Sequence, residues 1–276
     1  MTSELHQSRK VGLASISSAF LRMDIIEDVS YPLSLILGEL GVVAPLFISY
    51  FIGELVPSSP EIGSDYFTFA VIGLCVSTIL QAALGGFGGS LQRAQNRGTF
   101  ETLLVEPVPW IFLPFAMNLW RVILGFIGGT LIFLIGWALG AEYVFSGIPA
   151  FVLLLILGVC ASMGIGILAA SLMVLAKRSQ PVLTLYGLAA SLLAGALFSV
   201  DQLPPFLRAL SWAIPHTYVI NAARTVLMED PGSFSISFGG ASIALTLFNV
   251  VVFTIGLWLF HRSLQYARKM GMLSGY

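Results

Sequence analysis

Six long apolar runs leave this chain one environment in which to fold. They cover about residues 33–53, 66–90, 111–140, 148–176, 182–200 and 238–260. A helix crossing the hydrocarbon of a bilayer needs roughly 20 mostly apolar residues, and each run is about that long or longer. A segment isolated in lipid must satisfy its own backbone N–H and C=O groups, which selects helix. A β-barrel would show short alternating runs, and these do not alternate. Charged residues make up only 10% of the 276, where soluble domains carry about a quarter. The predicted fold class is all-α integral membrane: one transmembrane domain over residues 1–276, with six transmembrane helices.

Orientation follows from Lys and Arg. One side of the predicted spans collects Arg9, Lys10 and Arg22, then Arg93 and Arg97, Lys177 and Arg178, and Arg262, Arg268 and Lys269. The other side holds only Arg208 and Arg224, and its connections 54–65 and 141–147 carry acids without Lys or Arg. The positive-inside rule then places both termini in the cytoplasm, in a multi-pass protein of the cytoplasmic (inner) membrane. Met1 to Lys10 is polar with no short apolar core behind a basic start, so a cleaved signal peptide is not expected.

Three segments are neither spans nor simple loops. In 10–29, Leu13, Ile16, Phe20 and Met23 form one helical stripe, with Lys10, Asp24, Glu27 and Asp28 elsewhere; this suits an amphipathic interfacial helix on the cytoplasmic surface. Residues 91–107 form a polar stretch ending at Pro107. Residues 203–228 are moderately apolar but contain Pro204, Pro205, Pro215, Arg208 and Arg224. A seventh span there would put the basic C-terminus outside. The segment instead reads as a re-entrant extracytoplasmic hairpin of two short helices broken at Pro215.

Several chemistries are excluded. A phosphate-cradling P-loop needs Lys after Gly, but Lys10, Lys177 and Lys269 follow Arg9, Ala176 and Arg268. Gly164, Gly166 and Ala169 match a dinucleotide fingerprint inside an apolar span with no preceding strand, so the match is empty. His6, His216 and His261 are scattered and suggest no metal cluster. Cys75 and Cys160 sit in apolar runs as small hydrophobes. The net charge of -1 gives no attraction for nucleic acid. No cofactor is expected.

Inside the spans, small residues recur at four-residue spacing: Gly125, Gly129, Gly136 and Gly140; Gly158, Ser162, Gly166 and Ala170; Gly187, Ser191, Gly195 and Ser199. Such stripes let helices approach closely, either within a subunit or at a dimer seam or transport path. Glu39, Gln81, Asn118 and Arg121 are intramembrane polar candidates for a path or a structural pair. Arg121 has the further option of snorkelling to headgroups. Arg224 has two readings, bonding carbonyls freed at the Pro215 break or reaching outer headgroups. Few charges and a scatter of polar groups (Ser77, Thr78, Thr184, Tyr186) favour a lipophilic or amphipathic cargo, a drug or lipid before a glycan.

The stretch after Arg97 has local logic of its own. Gly98 permits a sharp turn. Thr99 is a good N-cap. Glu101 lies where a helix N-terminus favours negative charge. Pro107 and Pro109 end the helix. As written, Arg97-Gly98-Thr99-Phe100-Glu101-Thr102-Leu103-Leu104-Val105-Glu106-Pro107 resembles the "R-G-T-x-E-x-L-L-x-x-P" pattern of type-2 ABC exporter permeases. Leu203-Pro204-Pro205-Phe206-Leu207, then Ile214-Pro215-His216-Thr217-Tyr218 and Ala223-Arg224, resemble that family's stretch before the last span. Ile214 stands where the family often has Asn, and Ala94-Gln95-Asn96 where it often has acids. The resemblance implies that 91–107 is a cytoplasmic coupling helix docking on a separate ATPase subunit. Gly98, Thr99, Glu101, Leu104 and Pro107 would shape or make that contact, and Pro204, Pro215, Tyr218 and Arg224 would belong to the re-entrant segment.

The resulting expectation is the permease subunit of an ATP-driven exporter. Its partners are a cytoplasmic ABC ATPase, a second permease subunit and membrane lipids, and it is not itself an enzyme. An ATP-independent secondary transporter is the alternative; repeated halves and helices broken at mid-membrane, its usual marks, are not evident.

Overall fold

The computed structural model describes residues 13–55, 65–98, 111–176, 180–232 and 235–269. Among the described residues there are nine α-helices: α1 Leu13–Val29, α2 Pro32–Gly53, α3 Tyr66–Asn96, α4 Leu113–Ala138, α5 Ile148–Ala176, α6 Gln180–Leu193, α7 Pro205–Ser211, α8 Pro215–Leu227 and α9 Phe238–Lys269. Five are long and apolar enough to cross a membrane, namely α2, α3, α4, α5 (from Phe145) and α9. The chain is a multi-pass membrane protein.

Helix starts follow local chemistry. Asp65 caps α3, accepting the backbone N–H groups of Phe67 at 2.9 Å and Thr68 at 3.1 Å. Prolines open α2, α4, α7 and α8 at N1 or N2, where a missing N–H costs nothing.

The bundle is built around α3, the most buried of the five long helices. The glycine stripe of α4 lies on it. A Cβ at Gly125 would fall 2.5 Å from the Cβ of Ala82, and one at Gly129 would fall 2.6 Å from Ile79 Cγ1. The α5 stripe closes on α3 likewise: a Cβ at Gly166 would be 2.6 Å from the Leu84 carbonyl oxygen. These stripes therefore pack helices within the subunit, since close approach supplies dispersion contacts where lipid offers no hydrophobic drive. Helix α9 lies along α5, and α2 leans on α3 and α4. The outer face of α2 is bare: Leu33, Ile36, Leu37, Leu40, Phe47, Ile48 and Phe51 are exposed, as suits contact with lipid.

The run 182–200 differs from the expected full span. Helix α6 has 14 residues, about 21 Å against a hydrocarbon thickness of about 30 Å. The chain leaves helical geometry at Ala194–Gly195, with Gly195 at φ +76, a conformation that favours glycine. A Ser199-capped 3-10 turn, Val200–Gln202, follows. Of the remaining apolar residues of the run, Ala194, Ala196 and Val200 are buried, Phe198 is half-buried and Leu197 is exposed. Averaged hydropathy counts them with the helix and does not register the positive-φ stop.

Residues 203–228 form two short helices separated by Trp212, Ala213 and Ile214. Pro204 is the N-cap of α7 and Pro215 the first residue of α8, so the break lies just ahead of Pro215. Helix α8 packs against α3, α5 and α9.

Helix α1 forms at the expected residues but turns a different face inward. Ile16 and Asp24 are buried and Phe20 packs on the cluster of Phe87, Leu91, Met117 and Phe260, whereas Met23 and Ile26 are exposed. Two kinds of contact hold this face: the apolar packing of Ile16 and Phe20, and the pairing of Asp24, Glu27 and Asp28 with Arg93, Arg97 and Arg121.

Candidate functional site

A groove runs between α2, α3 and α4. Its deeper part is a cavity of about 520 Å³ lined by Glu39, Val42 and Pro45 of α2, Leu74, Ser77, Thr78 and Gln81 of α3, Arg121 and Leu124 of α4, and Ser191 of α6. A second cavity of about 360 Å³ shares Glu39, Arg121 and Leu124 and extends past Ser34 and Tyr31 to Glu27 and Asp28. The groove thus leads from the foot of α1 into the bundle.

Three acids of α1 meet three arginines at this foot. Asp24 lies 3.9 Å from Arg93, which also donates to Ser90 Oγ at 2.7 Å. Arg97 donates to Glu27. Asp28 accepts from Trp120 Nε1 at 2.7 Å and pairs with Arg121 at 3.4 Å. Burial pushes the Asp24 carboxyl above its ordinary value, while the hydrogen bond from Arg97 holds Glu27 below its own. The pairing was legible only in hindsight. Asp24, Glu27 and Asp28 share a helical face, as do Arg93 and Arg97, with opposite charge.

The intramembrane candidates fall into two overlapping groups. Glu39, Gln81 and Arg121 line the groove. Gln81 and Asn118 join helices: Gln81 Nε2 donates to Gly187 O at 2.8 Å and to Ser191 Oγ at 2.9 Å, tying α3 to α6. Asn118 Nδ2 donates to Ala83 O at 2.8 Å, tying α4 to α3 where Gly86 leaves room for the amide.

In the 203–228 segment, Tyr218 Oη donates to Trp212 O at 3.0 Å across the break and its ring meets Trp212 edge-on. Arg224 reaches neither the break nor the surface. It is buried, with Nε and Nη2 donating to Phe69 O at 3.2 and 3.1 Å and Nη2 also to Ala196 O at 2.8 Å. The sequence reading missed those acceptors because both belong to distant parts of the chain.

Gly98 has φ +68 and ends α3, its N–H donating to Gln95 O at 3.0 Å. Thr99, Glu101, Leu104 and Pro107 lie outside the described residues. Among the described residues no three His, Cys, Asp or Glu side chains stand together as metal ligands.

A bundle of long apolar helices with a groove between α2, α3 and α4 defines a multi-pass membrane domain. More specifically, the model of the ABC-2 type transporter family matches residues 35–228, more than two thirds of the chain, and the chain belongs to that family. It is thus the membrane component of a transporter. No curated protein matches it.

Proposed function

We propose that this chain is the permease subunit of an ATP-driven exporter that moves a lipophilic or amphipathic molecule across the cytoplasmic membrane. The observation that carries the reading is positional. In a member of the ABC-2 family, α3 runs unbroken from the buried centre to Gly98, directly ahead of the stretch that resembles a coupling helix. A helix packed along its length moves as a rigid body, so a push at its end reaches the groove. Two such subunits pair, each with one cytoplasmic ATPase, because the chain's three Lys residues leave it without a P-loop. Both termini lie in the cytoplasm, α1 rests at the membrane surface, and α7 and α8 form a re-entrant hairpin in the outer leaflet. In this topology α6 makes the fifth crossing, with the hairpin completing the depth that its 14 residues leave short.

The test is co-purification of the chain with its ATPase, followed by export and substrate-stimulated ATPase activity in proteoliposomes. Glu101→Lys reverses the charge at the coupling helix's N-terminus and should reduce ATPase capture, stimulation and export together. Thr99→Ala should act in the same direction more weakly, removing a cap worth about 1 kcal/mol. Normal capture, stimulation and export by Glu101→Lys would remove the coupling role. Export without ATP would favour a secondary transporter, in which Glu39 in the groove is the candidate coupling carboxylate.

A further inference from the structure

The groove holds one carboxylate with an oxygen that no hydrogen-bond donor among the described residues reaches. Its lining includes three acids, Glu27, Asp28 and Glu39, against one arginine, Arg121. Glu27 is bonded by Arg97, and Asp28 by Arg121 and Trp120. That leaves Glu39, which shares both cavities with Arg121 and whose Oε2 is shielded from solvent and has no hydrogen-bond partner among the described residues. Space is kept for it: a Cβ at Gly128 of the facing helix would fall 3.0 Å from that oxygen. Around it the deeper cavity presents apolar surface from Val42, Pro45, Leu74 and Leu124, with Ser77 and Thr78 on one wall. A volume of about 520 Å³ falls in the range of sites for drug-sized molecules.

From this placement we infer that the groove takes a cationic amphiphile, with Glu39 as the counter-charge and the apolar wall receiving the cargo's body. The inference rests on the chain being a transport subunit and adds the sign of the cargo's charge. An unpaired carboxylate at membrane depth is costly, and a ligand that brings a positive group offsets that cost on entering. An anionic amphiphile would meet Glu39 with like charge. Along the approach Glu27 and Asp28 are already paired with Arg97 and Arg121, so the carboxylate that a cation meets on the way in is that of Glu39.

The experiment uses the full chain in lipid nanodiscs and two fluorescent probes read by anisotropy: rhodamine 6G, a permanently charged lipophilic cation, and Nile red, a neutral one. The wild type should bind rhodamine 6G. Glu39→Gln, which keeps shape and removes charge, should weaken that binding at least tenfold while changing Nile red less than twofold. Gly128→Ala, which retains the charge but crowds the carboxylate, should weaken rhodamine 6G several-fold, and it carries the test if Glu39→Gln does not fold. No binding of rhodamine 6G by the wild type, unchanged binding by the variants, or equal weakening of both probes would overturn the inference. Binding is read without an ATPase, so it fails independently of the exporter reading, which stands or falls on ATPase capture and ATP-driven export.

Discussion

Arg224 and Phe69 are joined twice: the guanidinium carbon lies 3.3 Å from the ring centroid, and Nε and Nη2 both donate to the carbonyl of the same residue. Nη2 also holds Ala196 O, so one side chain of α8 clamps α3 and the turn after α6. Gly73, one turn beyond Phe69, admits the clamp; a Cβ there would lie 2.7 Å from Nη2 and 2.0 Å from Ala196 O.

Arg224→Met should therefore destabilise the chain by about 3 kcal/mol, because it removes buried charge-assisted hydrogen bonds to the carbonyls of Phe69 and Ala196. Arg224→Lys should recover only part of the loss, since an ammonium lacks the planar fork that serves both carbonyls. Thermal unfolding in detergent, followed by size-exclusion chromatography, reads both. A Met variant as stable as the wild type would show the clamp to be dispensable.

Gly86 and Asn118 predict a steric failure. A Cβ at Gly86 would fall 1.6 Å from Asn118 Oδ1 and 2.9 Å from Arg121 Cβ. Gly86→Val should separate α3 from α4 and sharply lower the yield of folded protein. Adding Asn118→Ala should recover part of that yield by removing the amide. No recovery in the double variant would place the fault elsewhere.

The Glu27–Arg97 pair predicts a charge-swap rescue. Glu27→Arg or Arg97→Glu alone should loosen α1, and together they should restore its docking, read as protection of α1 from hydrogen exchange. The pair is largely exposed, so the effect belongs at low salt. Acid dependence has a definite sign. Glu27 is held below its ordinary value of 4.5, so its contribution is present above that value and is lost only as pH falls through the lowered one. Asp24 is raised above 3.8, so its contribution is present at low pH and is lost as pH rises through the raised value. Mild acid should thus leave α1 docked. Release of α1 near pH 6 would contradict this assignment.

The proposed topology predicts opposite accessibility for two sites. With Cys75 and Cys160 replaced by Ala, Pro231→Cys should react with an impermeant maleimide in intact cells, and Ser274→Cys should react only after permeabilisation. Labelling of residue 274 in intact cells would place the C-terminus outside.

The sequence by itself determined the membrane class, because runs of apolar residues that long have only lipid or a buried core to occupy, and only helix satisfies their backbone. It also placed most helix starts within two residues, where Pro32, Asp65 and Pro215 act through their own backbone within one turn, but not the ends of α3, α6 and α9. The small-residue stripes were visible as well, though not what they faced. Where an outcome depended on residues far apart in the chain, the tertiary structure decided. The inward face of α1 meets arginines about 70 to 93 positions away and the apolar cluster around Phe87 and Phe260. Arg224 found its acceptors 155 and 28 residues off. The end of α6 was set by a positive-φ glycine and by apolar residues packed against protein, which composition cannot distinguish from residues packed against lipid. Glu39 is the same case: the sequence exposes an acid in a span, but only the packing of α2 on α3 and α4 sets it in a cavity where its Oε2 meets no hydrogen-bond donor among the described residues.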